Sequence, residues 1–158
     1  MTAQKQESVW DYPRPPLVEP TQRHIKVTFN GQVVAETTRG ARVLETASPP
    51  TIYCPPEDVR MDLLQPAGHA TVCEWKGTAE HFDLVVGDKV AQRAAWSYAT
   101  PNPGYESIAG WISFYPARVD EATMDDELVR PQAGGYYGGW ITDEIIGPFK
   151  GDPGTEGW

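Results

Sequence analysis

The sequence is poor in cysteine, in clustered basic residues and in long apolar runs, and each shortage excludes a class of protein. Two cysteines, Cys54 and Cys73, are too few for a disulfide scaffold, so we expect reduced thiols and a cytoplasmic location. The net charge is −9 with no cluster of Lys and Arg, which argues against nucleic acid and anionic membranes as partners. No apolar run approaches the roughly 18 residues that span a bilayer, and the N-terminus lacks the apolar core of a secretory signal.

What the sequence does contain is glycine, proline and short stretches of alternating hydrophobicity. Its 158 residues include 15 Gly and 15 Pro, which suits one domain of many strands joined by tight turns. Ile25, Val27 and Phe29 alternate with polar residues, and Asn30-Gly31 follows as a strong hairpin signal. Similar patterns recur to about residue 120. We therefore predict an all-β fold, mainly antiparallel, with about eight strands and one short helix.

The helix is expected near Pro56, where Pro55-Pro56 precedes the acidic pair Glu57-Asp58. Proline suits the first helical position and acids suit the first turn, while Pro66 and Gly68 would end the helix.

The chain divides by composition into three segments. We expect an extended N-terminal arm over residues 1–21, a β-rich core domain over 22–120, and an acidic segment with an aromatic tail over 121–158. The tail carries Trp140, Phe149 and Trp158, and we expect it to dock on the core.

Four segments, in order, carry a resemblance to one protein family. The most distinctive is Cys73-Glu74-Trp75-Lys76-Gly77-Thr78-Ala79, which resembles a Cys-Pro-x-Lys-Gly-x-Ala motif with glutamate in place of proline. Residues 43–59 resemble a Glu…Tyr-x-Pro…Asp-Val stretch, and residues 94–101 and 108–119 resemble Trp-x-Tyr…Pro and Phe-Tyr segments. By these motifs the chain resembles domain-of-unknown-function family 427, once labelled nucleotidyltransferase-like.

The resemblance implies a fold but no settled activity. The family's fold is similar to the β-tent folds of methionine sulfoxide reductase B and of the cereblon ligand-binding domain, in which two antiparallel sheets meet at an angle over a cleft. The nucleotidyltransferase label has no counterpart in this sequence. The glycine-rich residues 134–139 lack the Lys-Ser/Thr that a phosphate loop needs.

Cysteine and histidine side chains raise two further questions. Cys54, His69, Cys73 and His81 are types that suit tetrahedral zinc, but the Cys-x-x-Cys knuckles common in β-tent relatives are absent, so we predict no metal and no cofactor. Cys73 has two interpretations, and the sequence leaves both open. It is either a reactive thiol, activated by Lys76 and by His81 if that residue is near, or a small buried hydrophobic residue.

Aromatic and charged residues share the same predicted strands and indicate a ligand site around Lys76. Residues two apart on a strand share a face, so Trp96 and Tyr98 point together, as do Cys73 and Trp75. The alternative is that these rings only fill the core. The candidate ligand-binding residues are Glu45, Tyr53, Cys73, Trp75, Lys76, His81, Trp96 and Tyr98.

Three functions fit this pattern. The first is a binding module that holds a small molecule in a cleft between two sheets. The second is an enzyme in which Glu45 or His81 is the general base and Lys76 stabilises negative charge. The third is an interaction protein whose aromatic tails join copies into a homo-oligomer. Convergence of Lys76 and Glu45 in one cleft would favour the first two, and the sequence leaves open whether any reaction is catalysed.

Overall fold

The computed structural model of the chain describes residues 6–73, 75–132 and 138–149. Its strands, in chain order, are β1 (Glu7–Ser8), β2 (Leu17–Thr21), β3 (Ile25–Phe29), β4 (Gln32–Thr37), β5 (Gly40–Leu44), β6 (Thr51–Cys54), β7 (Leu64–Cys73), β8 (Gly77–Val86), β9 (Lys89–Ser97), β10 (Ile112–Phe114), β11 (Glu121–Met124), β12 (Glu127–Leu128), β13 (Arg130–Pro131), β14 (Trp140–Ile141) and β15 (Ile145–Ile146). Short 3-10 helices lie at Val9–Asp11, Pro56–Asp58, Met61–Leu63, Glu106–Ile108 and Pro116–Arg118.

The strands form two larger antiparallel sheets and two small pairs. The larger sheet has seven strands in the order β2-β5-β6-β10-β9-β8-β7, and the other has four in the order β12-β11-β3-β4. β13 pairs with β14 antiparallel, and β1 pairs with β15 parallel. The predicted mainly antiparallel all-β class is confirmed. Within the described residues, no helix is long and apolar enough to cross a bilayer.

The first hairpin shows how the sequence sets this architecture. Asn30 and Gly31 join β3 to β4 with φ values of 49° and 78°, the left-handed conformations that a tight hairpin turn requires. Asparagine and glycine tolerate these conformations better than other residues. The turn therefore fixes the pairing of the two strands whose alternating pattern predicted it.

One face of the seven-stranded sheet packs against the four-stranded sheet. We call it the core face and define it by Ile52, Cys54, Leu84, Ala95 and Phe114, which pack in one apolar cluster with residues of β3, β4 and β11. Alternate residues of the same strands point the other way. We call that side the cavity face and define it by Tyr53, Ala79, His81 and Trp96.

The predicted helix near Pro56 is present only as two 3-10 turns, Pro56–Asp58 and Met61–Leu63. Between them Val59 forms an isolated bridge with Ala35, so its backbone is drawn into sheet pairing and cannot continue a helix. The following strand begins at Leu64, earlier than the pattern predicted. It includes Pro66 and Gly68 at a shift in register, which an edge strand tolerates.

The chain's ends contribute side chains and strands to this framework. Trp140 is 1% exposed within the core-face cluster, and its indole N–H donates to the Phe114 carbonyl at 3.0 Å. β2 pairs along β5, and Phe149 packs against the cluster that contains Val9. Of the residues predicted to dock the tail, Trp158 lies outside the described residues, as do residues 134–137 of the glycine-rich run.

Candidate functional site

A cavity of about 430 Å³ lies over the cavity face of the seven-stranded sheet. Its strand residues come from β5, β6, β7, β8 and β9, and the loops around them complete the wall. The cavity therefore lies over one sheet rather than between the two larger sheets. All of the residues proposed from the sequence line it: Glu45, Tyr53, Cys73, Trp75, Lys76, His81, Trp96 and Tyr98.

Aromatic rings in mutual contact form one wall of the cavity. The Trp96 indole N–H donates to the Tyr53 hydroxyl at 3.1 Å, and the two rings meet edge to face with centroids 6.1 Å apart. Tyr115 lies against Trp96 with centroids 4.6 Å apart, and Tyr98 lies 6.5 Å from Tyr53. Burial raises the pKa of Tyr53 and of Tyr98 above the ordinary tyrosine value, so both hydroxyls stay neutral at physiological pH.

Gly138 lies close against the edge of the Trp96 ring. A Cβ atom at this glycine would lie 2.6 Å from Cζ3 of Trp96 and closer still to Cη2. The backbone can make so close an approach to an indole only where no side chain intervenes. The neighbouring Gly139 donates its N–H to the Gln132 side chain at 3.1 Å, which ties this segment to a second cavity-lining residue.

Lys76 enters the cavity from the turn between β7 and β8. Its backbone N–H donates to Cys73 Sγ at 3.4 Å, and its carbonyl accepts from the Asn102 N–H at 2.9 Å. Asn102 also donates to the Trp75 carbonyl, and Gly77 completes the turn with a φ of 108° that favours glycine. The Lys76 side chain is 8% exposed, and its ammonium lies 5.8 Å from the centre of the Tyr98 ring.

The charge of Lys76 has no acidic partner among the described residues. None of the ion pairs within residues 6–73, 75–132 and 138–149 includes it. Glu45 lines the same cavity, but its carboxylate lies 3.7 Å from the guanidinium of Arg14. The structure thus brings Lys76 and Glu45 to one cavity without pairing them.

His81 lines the cavity next to the aromatic wall, since it pairs with Trp96 across β8 and β9. The Nε2 atom of His81 lies 2.9 Å from the Thr71 hydroxyl, and its ring stacks against Tyr115 at 6.3 Å. His69 lies edge-on to it at 5.1 Å. Burial lowers the pKa of His81, with smaller effects from His69 and from Arg118 and Arg93. Among the described residues its buried Nδ1 atom has no hydrogen-bond partner, and the lowered pKa favours the neutral form of the ring.

The two cysteines lie on opposite faces of the sheet. Cys54 is fully buried on the core face, where burial, with a smaller effect from Asp58, raises the pKa of its thiol to about 12. Cys73 is half-buried and lines the cavity. The four residues weighed as zinc ligands therefore do not converge, and the described residues contain no group of three or more side chains placed to hold a metal ion.

Several cavity residues were not among those predicted. Tyr115 follows β10 directly and lines the cavity against Trp96. Thr71 was hidden because a threonine on a strand has no distinctive signal. Gln132 and Gly138 reach the cavity from loops far along the chain, and no local pattern indicates such a contact.

Comparison with known proteins identifies a family for this chain. The family model described as "Domain of unknown function (DUF427)" matches residues 17–125, more than half of the 158 residues. The matched range contains every candidate ligand-binding residue, and it confirms the resemblance drawn from the four sequence segments. No curated protein matches the chain.

Proposed function

We propose that this chain, which belongs to the DUF427 family of domains of unknown function, binds a small organic molecule in the cavity over its seven-stranded sheet. The observation that carries the proposal is the convergence of aromatic rings with a few polar groups around about 430 Å³ of space. Sites for small molecules commonly measure about 300–1,000 Å³ and combine apolar walls with few, well-placed polar groups.

The polar groups of the cavity support binding over simple core packing. Lys76 and His81 are both buried, and among the described residues the Nδ1 atom of His81 has no hydrogen-bond partner and Lys76 has no ion-pair partner. Buried polar groups without partners reduce stability, so a core built for packing alone would replace them with apolar side chains. A bound molecule would supply the missing partners.

The enzyme hypothesis uses the same cavity and stays a prediction. A general base must come within about 2.6–3.2 Å of the proton that it removes. Glu45 is held near Arg14, and His81 is already bonded to Thr71 through Nε2. These contacts position both side chains without favouring catalysis over binding.

The interaction hypothesis concerns the aromatic arm and tail, and it too stays a prediction. Trp10 is 44% exposed, and its indole N–H donates to the Pro148 carbonyl at 3.0 Å. The arm and the described part of the tail therefore contact each other within one chain.

A thermal-shift screen with a matched pair of occluding variants tests the proposal. Thr71 and Thr78 are exposed on neighbouring strands, but only Thr71 lines the cavity. A compound that binds there at about 100 times its Kd adds about 2.7 kcal/mol to the free energy of unfolding. We expect it to raise the Tm of wild type and of Thr78→Phe by about 5–10 °C, and to leave Thr71→Phe unchanged.

Two results would contradict this function. Failure of every compound in a library of neutral, anionic and cationic metabolites would remove its basis. Equal stabilisation of Thr71→Phe and Thr78→Phe would place the binding site elsewhere.

A further inference from the structure

We infer that the molecule held in this cavity is a planar aromatic monocarboxylate, with its ring against the aromatic wall and its carboxylate at the ammonium of Lys76. This inference rests on the proposed function and adds the chemical class of the ligand. It follows from three observations: the charges of the residues that line the cavity, the ordered turn that carries Lys76, and the presence of a lysine rather than an arginine in the lining.

The charges of Lys76 and Glu45 favour an anionic ligand over a cationic one. An aromatic wall alone would suit a cation, because ring faces attract positive charge. Here the Lys76 ammonium already lies 5.8 Å from the Tyr98 ring centre, so the protein itself supplies that cation. Glu45, the single carboxylate among the described lining residues, lies beside Arg14. A second cation would be repelled by Lys76, whereas an anion would receive the ion pair that the described residues do not provide.

The turn holds Lys76 in place before a ligand arrives. The contacts of its backbone with Cys73 and Asn102 fix both sides of the turn, and the side chain is more than nine-tenths buried. A lysine that is already largely buried loses little further side-chain freedom when an anion binds. The ion pair therefore contributes to affinity at a lower entropic cost than one made by an exposed lysine.

The kind of cation favours carboxylate over phosphate. The described lining residues include one lysine and no arginine. Phosphate groups carry up to two charges and are bound most strongly by several donors or by the paired N–H groups of arginine. A single ammonium matches a single negative charge, and the neutral hydroxyls of Tyr53 and Tyr98 add no charge of their own.

The ring of the ligand is inferred from the wall that it would meet. Tyr53, Trp96, Tyr98 and Tyr115 contact one another through edge-to-face and tilted arrangements. A planar ring that joins such an arrangement gains interaction free energy beyond that of the apolar area it buries. A flexible aliphatic chain does not obtain this additional free energy. A planar ring with one carboxylate therefore uses both features of the cavity.

Matched pairs of rings that differ only in charge test this class. The probes are benzoate with benzamide, indole-3-carboxylate with indole-3-carboxamide, and naphthalene-2-carboxylate with its amide, together with benzylammonium. Calorimetric titration of the full chain should give a Kd for at least one carboxylate that is about tenfold or more below that of its amide. Lys76→Met, which removes the charged atom and keeps an unbranched side chain, should abolish that difference. Lys89→Met, at the exposed first residue of β9, should leave it unchanged.

The outcomes distinguish this inference from the proposed function. Equal binding of acid and amide, preference for benzylammonium, or an unchanged preference in Lys76→Met would overturn the carboxylate class while the cavity remained a ligand site. If no ring probe binds but compounds of other classes stabilise wild type and not Thr71→Phe, the class is wrong and the proposed function stands. If nothing binds in either experiment, the proposed function itself fails.

Discussion

The two faces of the seven-stranded sheet differ in what they bury. The core face meets the four-stranded sheet with small and aliphatic residues and Phe114, none of them more than a few per cent exposed. The cavity face buries tyrosine, tryptophan and histidine around open space, which Lys76 enters from the turn between β7 and β8. Both faces are built by alternate residues of the same strands, so the difference comes from side-chain type alone.

The residues of the core face therefore raise the free energy of unfolding, whereas some residues of the cavity lower it. Close-packed apolar groups contribute free energy in proportion to the area they remove from water. Buried polar groups that have no partner among the described residues, such as the Nδ1 atom of His81, subtract from it. Proteins commonly retain such unfavourable arrangements at functional sites. Variants on the core face should therefore mainly reduce stability, and variants on the cavity face should mainly reduce ligand binding.

The largest effect on stability is expected from Phe114→Ala on the core face. Phe114 is fully buried, and its loss should leave a cavity that costs about 3–5 kcal/mol of unfolding free energy. The adjacent Tyr115 is half-buried and lines the cavity, so Tyr115→Ala should cost about 1–2 kcal/mol and also weaken ligand binding. Urea denaturation compares the two. A larger loss for Tyr115→Ala than for Phe114→Ala would break the distinction between the faces.

The next largest effect is expected from Gly138→Ala, which presses on the cavity wall. The new methyl group would overlap the six-membered ring of Trp96, at 2.6 Å from Cζ3, and overpacking of this kind costs about 1–3 kcal/mol. The displaced indole should also reduce cavity volume and weaken binding. Phenylalanine lacks the overlapping atoms, so in a Trp96→Phe background the same change should cost less. A double-mutant cycle by urea denaturation with no coupling between the two sites would contradict this contact.

Local patterns were enough to predict much of this arrangement. The alternation around Ile25, Val27 and Phe29 and the Asn30-Gly31 turn predicted a hairpin that the structure contains. Because strand residues alternate between faces, Trp96 and Tyr98 were expected on one side, and both line the cavity. Each of these inferences depends only on residues close together in the chain.

Interactions between distant parts of the chain could not be predicted in the same way. Nothing local to Val59 indicates that it pairs with Ala35, yet that bridge splits the predicted helix into two turns. The order of strands in the larger sheet likewise depends on tertiary packing, which placed the cavity over one sheet. Gln132 and Gly138 join the site for the same reason, since both lie far along the chain from Lys76.

A smaller effect, dependent on pH, is expected from His81. Its pKa is lowered by burial, and secondarily by His69 and the arginines nearby, so below the ordinary histidine value of about 6.5 the unfolded chain binds a proton that the folded chain resists. Stability should be fully present above about pH 6.5 and decline as pH falls toward the lowered pKa, with a slope of at most about 1.4 kcal/mol per pH unit. Urea midpoints measured between pH 5 and 8 should show this decline.

The histidine variants provide the control for that measurement. His81→Gln should flatten the part of the profile that His81 causes, because glutamine keeps a polar side chain that does not titrate. His24→Gln, at a partly exposed position on the four-stranded side of the molecule, should keep the decline. An identical profile for wild type and His81→Gln would show that another group causes it.

The smallest effect on stability is expected at Cys73, which also offers a clear chemical contrast with Cys54. Cys73 lines the cavity, whereas Cys54 is sealed in the core face with a pKa raised to about 12 by burial and by Asp58. N-ethylmaleimide should therefore label one thiol per folded chain and two in denaturant, as read by mass spectrometry. Cys73→Ser should change the unfolding free energy by less than about 0.5 kcal/mol and remove the label from the folded state.

Cys54→Ser is the matched variant, and it should behave in the opposite way. It buries a hydroxyl among apolar groups, at a cost of about 1–3 kcal/mol, and leaves the folded-state labelling of Cys73 intact. Because both cysteines belong to strands of one sheet, the comparison isolates the face on which each thiol lies. Equal labelling rates for Cys54 and Cys73 in the folded chain would mean that the core face opens as readily as the cavity, and the division between a packed face and a binding face would not hold.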